Sequence, residues 1–171
     1  MKEGRIHPSL IKGCLANQRA AQRELYDRCL PYLSTIARRY LRSEASLKDI
    51  LQDSFLQIFS KLHQFDPAKA SFKTWSTRIV INNCLKRNGQ AAKMPTEAFM
   101  PERDTRAISP AVLEQLEEAA LAAWLRQMPT DLHTVFMLYV VDGFTHEEIA
   151  AMLSISTALS RQRLSRSRKW L

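Results

Sequence analysis

Three sets of residues carry types and spacings that chemistry could use. Between Ser160 and Leu171 the chain places Arg161, Arg163, Arg166, Arg168 and Lys169, with no acid among them. Guanidinium groups present fixed forks of N–H donors that match phosphate oxygens. Arg78, Asn82 and Lys86 recur at four-residue steps. That row lies on one helix face and joins cations for a nucleic-acid backbone to an amide that can read base edges. Asp49, Gln52 and Asp53 stand at i, i+3 and i+4, again one helix face. Taken alone, such an acidic stripe reads as a solvent-facing surface. Reactive chemistry finds no support. His7, His63, His133 and His146 have no metal-ligand spacing with one another or with Cys14, Cys29 and Cys84. No Ser–His–Asp or Cys–His pairing and no Walker motif is present. The expectation is therefore a chain with no metal, no cofactor and no catalytic residue. Cys84 lies on an apolar helix face and reads as a small buried hydrophobe.

Composition points the same way. The 171 residues carry a formal net charge of +8, which favours polyanionic partners. The charge is clustered. From Lys69 to Lys93 there are six basic residues and no acid, and from Glu114 to Glu148 seven acids against Arg126 alone. Two basic blocks around an acidic stretch suggest two contact surfaces for one long polyanion. No apolar run approaches the roughly 20 residues of a membrane span. Met1 to Pro8 lacks the apolar stretch of a signal peptide. A cytoplasmic protein without a membrane span is expected.

The elements that must position these residues read as helices. Leu51, Phe55, Ile58 and Leu62 step by four, three and four. Leu25, Leu33, Ile36 and Tyr40 do something similar, with Pro31 expected near a kink or an early turn. Asp66-Pro67-Ala68-Lys69 breaks the pattern, and Phe72, Trp75 and Ile79 resume it through Leu85. The apolar run from Val135 to Val141 has helical flanks. From Asn88 to Pro110 the periodicity fails, and Gly89, Pro95, Pro101 and Pro110 fall inside it. So long a break joins domains more readily than it crosses one. The expected fold class is all-α: two small helical domains, residues 5–88 and 112–171, joined by a flexible linker at 89–111. The acidic segment Glu114-Gln115-Leu116-Glu117-Glu118 starts the second domain.

Thr145-His146-Glu147-Glu148 has the capping-box pattern. Its helix carries Ile149, Ala150 and Leu153. Ser154-Ile155-Ser156 breaks that helix, and Ser156 can cap a second one from Thr157 onward. Two short helices, a three-residue turn and a basic second helix make a helix-turn-helix, whose second helix enters the major groove. A plain helical hairpin with a solvated basic face has the same spacing, and the acid-free arginine block favours DNA. Arg161 and Arg168 lie two turns apart on one face, while Arg163 and Arg166 point elsewhere, so some of them grip phosphate rather than bases.

At this point the chain resembles a family. Met128-Pro129, Asp142-Gly143-Phe144-Thr145, Glu148-Ile149-Ala150, Leu153-Ser154-Ile155-Ser156 and Arg163-Leu164-Ser165-Arg166-Ser167-Arg168 look like the −35-binding domain of bacterial sigma factors, closest to the small extracytoplasmic-function (ECF) group. Leu47-Lys48-Asp49-Ile50-Leu51-Gln52-Asp53-Ser54-Phe55 is similar to that family's acid-x-x-Gln-acid helix. Phe72-Lys73-Thr74-Trp75-Ser76-Thr77-Arg78-Ile79-Val80-Ile81-Asn82 resembles its Phe-x-x-Trp-x-x-Arg-Ile-x-x-Asn segment. The resemblance implies a sigma factor that binds core RNA polymerase and promoter DNA and leaves catalysis to the polymerase. It implies polymerase contact at Asp49, Gln52 and Asp53. It implies −10 contact and melting at Phe72, Lys73, Trp75, Arg78, Asn82 and Lys86, beside the loop from Gln64 to Ser71. It implies −35 contact at Thr157, Ser160, Arg161, Arg163, Arg166 and Arg168. Whether an anti-sigma factor partners the chain stays open. Two departures stand out: Ser154 holds a turn position where the family usually has Gly, and Leu159-Ser160 replaces a Thr-Val type pair. The competing readings are an autonomous helix-turn-helix regulator that needs no polymerase, and a sigma mimic that only binds protein. A plain repressor has no use for the Asp49-Gln52-Asp53 face.

Overall fold

The computed structural model describes residues 6–41, 43–89, 125 and 127–170. The chain divides between residues 90 and 91 into two units, both helical, with no strand among the described residues. The first holds α1 (Pro8–Leu15), α2 (Arg19–Tyr40), α3 (Leu47–Lys61) and α4 (Phe72–Arg87). The second holds α5 (Thr130–Phe136), α6 (His146–Leu153) and α7 (Thr157–Trp170). Apart from Gly89, the expected linker lies outside the described residues, as does the acidic segment Glu114–Glu118.

In the first unit α2, α3 and α4 pack on one another, with α1 against α2. Leu25, Leu33, Ile58, Leu62, Ile81 and Leu85 are fully buried between them. The apolar stripe Leu51, Phe55, Ile58 and Leu62 turns inward as its spacing requires. Pro31 makes no early turn: α2 runs through it from Arg19 to Tyr40. Its side chain is exposed, so the helix loses one backbone bond there without breaking into the core. Gly13 lets α1 approach α2 closely, because a Cβ at that position would stand 2.8 Å from the Cβ of Ala21. Two polar contacts, one buried and one partly buried, set the register of α4. Asn83 Nδ2 donates to Ser54 Oγ of α3 at 3.0 Å, and Tyr32 OH lies 2.7 Å from Ser76 Oγ. A satisfied buried hydrogen bond resists sliding, since a shifted register would orphan both groups.

In the second unit the Val135–Val141 run is helical. α5 continues into a π-helical turn, Met137–Val141, where Asp142 N–H donates to the Met137 carbonyl at 3.0 Å. Gly143 then takes φ +73°, which a side chain would oppose. Phe144 N–H donates back to the Leu138 carbonyl at 2.9 Å. The capping box forms in full: Glu148 N–H donates to Thr145 Oγ1 at 3.2 Å, and Thr145 N–H to Glu148 Oε2 at 2.7 Å. Ser156 Oγ accepts from Leu159 N–H at 3.1 Å and opens α7. Between the two helices Ser154 sits at φ 53°, ψ 45°, the left-handed region that favours glycine. Ser154→Gly is therefore expected to stabilise the second unit by about 1 kcal/mol. Thermal unfolding of the two proteins checks this, and a lower midpoint in the variant would contradict it.

Candidate nucleic-acid interface

The second helix of the turn motif, α7, packs on α5 and α6 through Ser160, Leu164 and Ser167, all buried. Its opposite side is solvent-facing. Ala158, Gln162, Ser165 and Lys169 form the exposed strip, with Arg161 and Arg168 along one edge and Arg166 along the other. Gln162 and Ser165 carry no charge, so the basic pattern of the segment does not mark them. Their signal was the three- and four-residue spacing with Ala158 and Lys169. Thr157, at the first turn, and Leu159 are half-buried.

Two expected DNA-facing residues of α7 lie elsewhere. Ser160 has no exposed surface, and its Oγ lies 2.9 Å from His146 Nδ1 on α6. A side chain sealed between two helices does not meet a base edge. Arg163 keeps 23% of its side chain exposed, and its Nε lies 3.3 Å from Asp131 Oδ2 on α5. It joins α7 to α5, a partly exposed pair worth about 0–1 kcal/mol. Arg161 remains 64% exposed while its Nη2 reaches Glu147 Oε1 at 3.4 Å. That long contact holds the guanidinium loosely and leaves its other donors facing out. The His146 ring stacks on Tyr139, with centroids 4.5 Å apart and planes at 23°. Burial, aided by the Arg161 charge and against the pull of Glu147, holds the imidazole below its usual range.

The first unit has its own candidate DNA surface. On α4, Arg78 and Asn82 are half-buried and Lys86 exposed, in one row with half-buried Trp75. Ser71 Oγ accepts from Thr74 N–H at 3.1 Å and starts the helix. The preceding loop is shaped by Asp66, whose Oδ1 accepts from Ala68 N–H at 2.9 Å. Phe65, Phe72 and Trp75 form a three-ring cluster with centroids 5.4–5.6 Å apart. Tilted and edge-on contacts of this kind brace the loop against the helix. Phe72 belongs inside that cluster: it is 6% exposed and supports the loop rather than facing a nucleotide. Phe65, the half-buried third ring, lies in the loop, outside any helical periodicity that would mark it. Lys73 stands exposed, its Nζ 6.0 Å over the Tyr32 ring. Burial pushes the Cys84 thiol up to about 12, as an inert core residue requires.

On α3, Asp49, Gln52 and Asp53 all face outward. Leu56, one turn further, is 63% exposed on the same face. It adds an apolar residue to an otherwise polar face. With Ile50, Asp53, Gln57, Asn83, Lys86 and Arg87 it lines an open groove between α3 and α4. Asp49 Oδ2 lies 3.7 Å from Arg87 Nη2, with both side chains half exposed or more, so its charge is partly shared. Among the described residues no group of His, Cys, Asp and Glu is placed to hold a metal, and no helix is long and apolar enough to cross a membrane.

Two family models match: Sigma-70 region 2 over residues 25–92 and Sigma-70, region 4 over residues 118–171. The "Probable RNA polymerase sigma factor RfaY" of Xanthomonas campestris is 28% identical over 95% of this chain and 42% of its own length. The chain thus spans less than half of that relative. The ECF RNA polymerase sigma-E factor of Haemophilus influenzae is 22% identical and covers 100% of this chain and 96% of itself. The sigma factor RpoE of Bartonella quintana, solved in complex with the anti-sigma factor NepR, has the same fold. It is 21% identical at a TM-score of 0.54, over 86% of this chain and 91% of that one. With both sigma regions matched in order and every described element helical, the chain belongs to the sigma-70 factors of bacterial RNA polymerase, in their extracytoplasmic-function group.

Proposed function

We propose that this chain binds core RNA polymerase and directs it to promoters by recognising a −35 and a −10 element, in the cytoplasm, with the polymerase supplying all the catalysis. One observation carries the reading. The outward Asp49-Gln52-Asp53-Leu56 face of α3 lies on the same chain as a helix-turn-helix whose exposed strip is edged by arginines. Carboxylates and an amide around an apolar anchor suit a protein surface rich in arginine. Residues 5–88 serve as the polymerase-binding and −10 domain, 89–111 as the linker and 112–171 as the −35 domain. Lys73, Trp75, Arg78, Asn82 and Lys86 supply the −10 surface, with Phe72 beneath it. Thr157, Arg161, Arg166 and Arg168 supply the −35 surface. An anti-sigma factor that covers either surface is the regulatory partner consistent with this reading.

The test is a pull-down with core polymerase followed by sequencing of the promoters the complex binds. Failure to co-purify, or tight sequence-specific binding of duplex DNA by the chain alone at physiological salt, would favour an autonomous regulator. Within α7 two kinds of contact separate. Arg161 lies in the first turns, where helix-turn-helix proteins reach base edges. Arg161→Ala is expected to change which −35 sequences are used, by about 1–3 kcal/mol per affected base pair. Arg166→Ala and Arg168→Ala are expected to weaken all promoters alike and to lower the salt slope by about one unit per contact. Transcription in vitro from a library randomised across the −35 element reads both effects. If Arg168→Ala shifts the preferred sequence and Arg161→Ala does not, the roles are reversed.

A further inference from the structure

His146 is used by nothing described so far, yet its surroundings are specific. It occupies the first position of α6, directly after the Thr145 cap. One face of its ring stacks on Tyr139, and Nδ1 meets Ser160 Oγ, a hydroxyl with no exposed surface on α7. The charged groups around it come from both helices of the motif. Arg161 and Arg168 of α7 act against the imidazolium, and Glu147 of α6 acts for it. Glu148, the next acid on α6, is turned onto the Thr145 amide. The N-terminal end of a helix adds a further partial positive charge against a cation at this position. The ring is thus wedged between the two helices of a DNA-binding motif, where burial and the charges of Arg161 and Arg168 oppose its protonation.

We propose that His146, wedged between Tyr139 and Ser160 beside Arg161 and Arg168, takes up a proton when duplex DNA docks on α7, so that binding tightens as the pH falls. This rests on the reading of α7 as the DNA-contacting helix. A phosphate placed against Arg161 or Arg168 cancels the charge that opposes the imidazolium and adds an anion that favours it. Bound protein then holds more protons at His146 than free protein. Linkage fixes the sign. Affinity is constant above the titration range of the bound state, rises as pH falls through the interval between the bound and free ranges, and levels off below both. Each unit of separation between them gives about tenfold in affinity. His146 is a positioning residue here: it touches α7 rather than DNA and transmits its charge state through Ser160 and the arginines.

The experiment measures binding of the full chain to a short fluorescein-labelled duplex of mixed sequence, at low salt, from roughly pH 8 to about pH 5, the interval in which histidine titrates. Wild type is expected to gain about tenfold. His146→Gln keeps an amide that can meet Ser160 but cannot titrate, and is expected to lose that slope. The ring-proton resonance of His146 in the full chain is a second measurement that needs no variant. It is expected to titrate at higher pH with duplex bound than without. A His146→Gln chain with the wild-type slope, or a ring that titrates at the same or lower pH with duplex bound, overturns the proposal. If duplex binding persists and depends on Arg161 and Arg168 while the slope is absent, only the role of His146 falls. If no duplex binds at any pH, or if Arg161→Ala and Arg168→Ala leave binding untouched, the assignment of α7 falls and the proposal with it.

Discussion

Asp49→Arg is expected to abolish productive binding to core polymerase while leaving the fold intact. Asp49 is exposed on α3, 63% by side chain, and shares its charge with Arg87 at 3.7 Å. The substitution therefore places a cation where an interface with a basic partner expects an anion, and places it beside another cation. Loss of a charge-assisted contact that becomes buried on association costs about 2–5 kcal/mol, or roughly 30-fold to over a thousandfold in affinity. The double change Gln52→Ala with Asp53→Ala should fall in the same range. Asp49→Asn separates loss of the charge from its reversal and is expected to have the smaller effect. Stability should hardly change in any of these, because exposed substitutions away from caps and cores stay within about 0.5 kcal/mol. A fluorescence titration against core enzyme, with thermal unfolding alongside, measures both quantities. Unchanged affinity for Asp49→Arg would remove this face from polymerase binding.

Leu138→Ala is expected to unfold the second unit without unfolding the first. Leu138 is fully buried, in the π-helical turn that follows α5, and its carbonyl anchors Phe144 N–H at 2.9 Å. Truncating a buried leucine costs about 2–5 kcal/mol, from lost transfer energy and the cavity left behind. A small helical unit has little more stability than that to lose. Leu138 belongs to the second unit and α2, α3 and α4 to the first, so those three helices should keep their protection. Amide hydrogen exchange read segment by segment makes the comparison. Rapid exchange across α5 to α7, with slow exchange retained in α2 to α4, is the expected pattern. Duplex binding should be lost and polymerase binding through α3 retained, though weakened by whatever α5 to α7 contribute. Simultaneous loss of protection in both units would mean that they unfold as one.

The residues that mislead when read in sequence are informative as a group. Ser160, Arg163 and Phe72 all sit within segments whose neighbours face solvent, and each has the right type for a contact. Arg163 shares a basic run with Arg161, Arg166 and Arg168, and nothing local distinguishes it. What sets it apart is its position: only 23% of its side chain is exposed, and the packing of α5 on α7 brings Asp131 to 3.3 Å. Ser160 is removed by His146 of α6, 14 positions away in sequence. Phe72 is drawn inward by Phe65 across the loop. Leu56 is an apolar residue left 63% exposed, because its helix position falls on the outer stripe with Asp49, Gln52 and Asp53 and not on the Leu51, Phe55, Ile58 and Leu62 stripe.

The sequence by itself determined the helical class of both units and the breaks at Asp66-Pro67 and at Ser154-Ile155-Ser156. Helix periodicity, the Thr145–Glu148 box, the Ser156 cap and the Asp66-Pro67 break act over about four residues, so the residues that decide them are adjacent in the chain. The left-handed conformation of Ser154 came only with the structure, since a serine gives no local signal for a positive φ. Only the tertiary structure decided which polar groups remain available to a partner. That depends on whether a second helix brings a carboxylate, a ring or a hydroxyl to within hydrogen-bond distance. Asp131 for Arg163, His146 for Ser160, Arg87 for Asp49 and Ser54 for Asn83 come from other elements. Pairing across elements is set by packing geometry, and no local spacing encodes it.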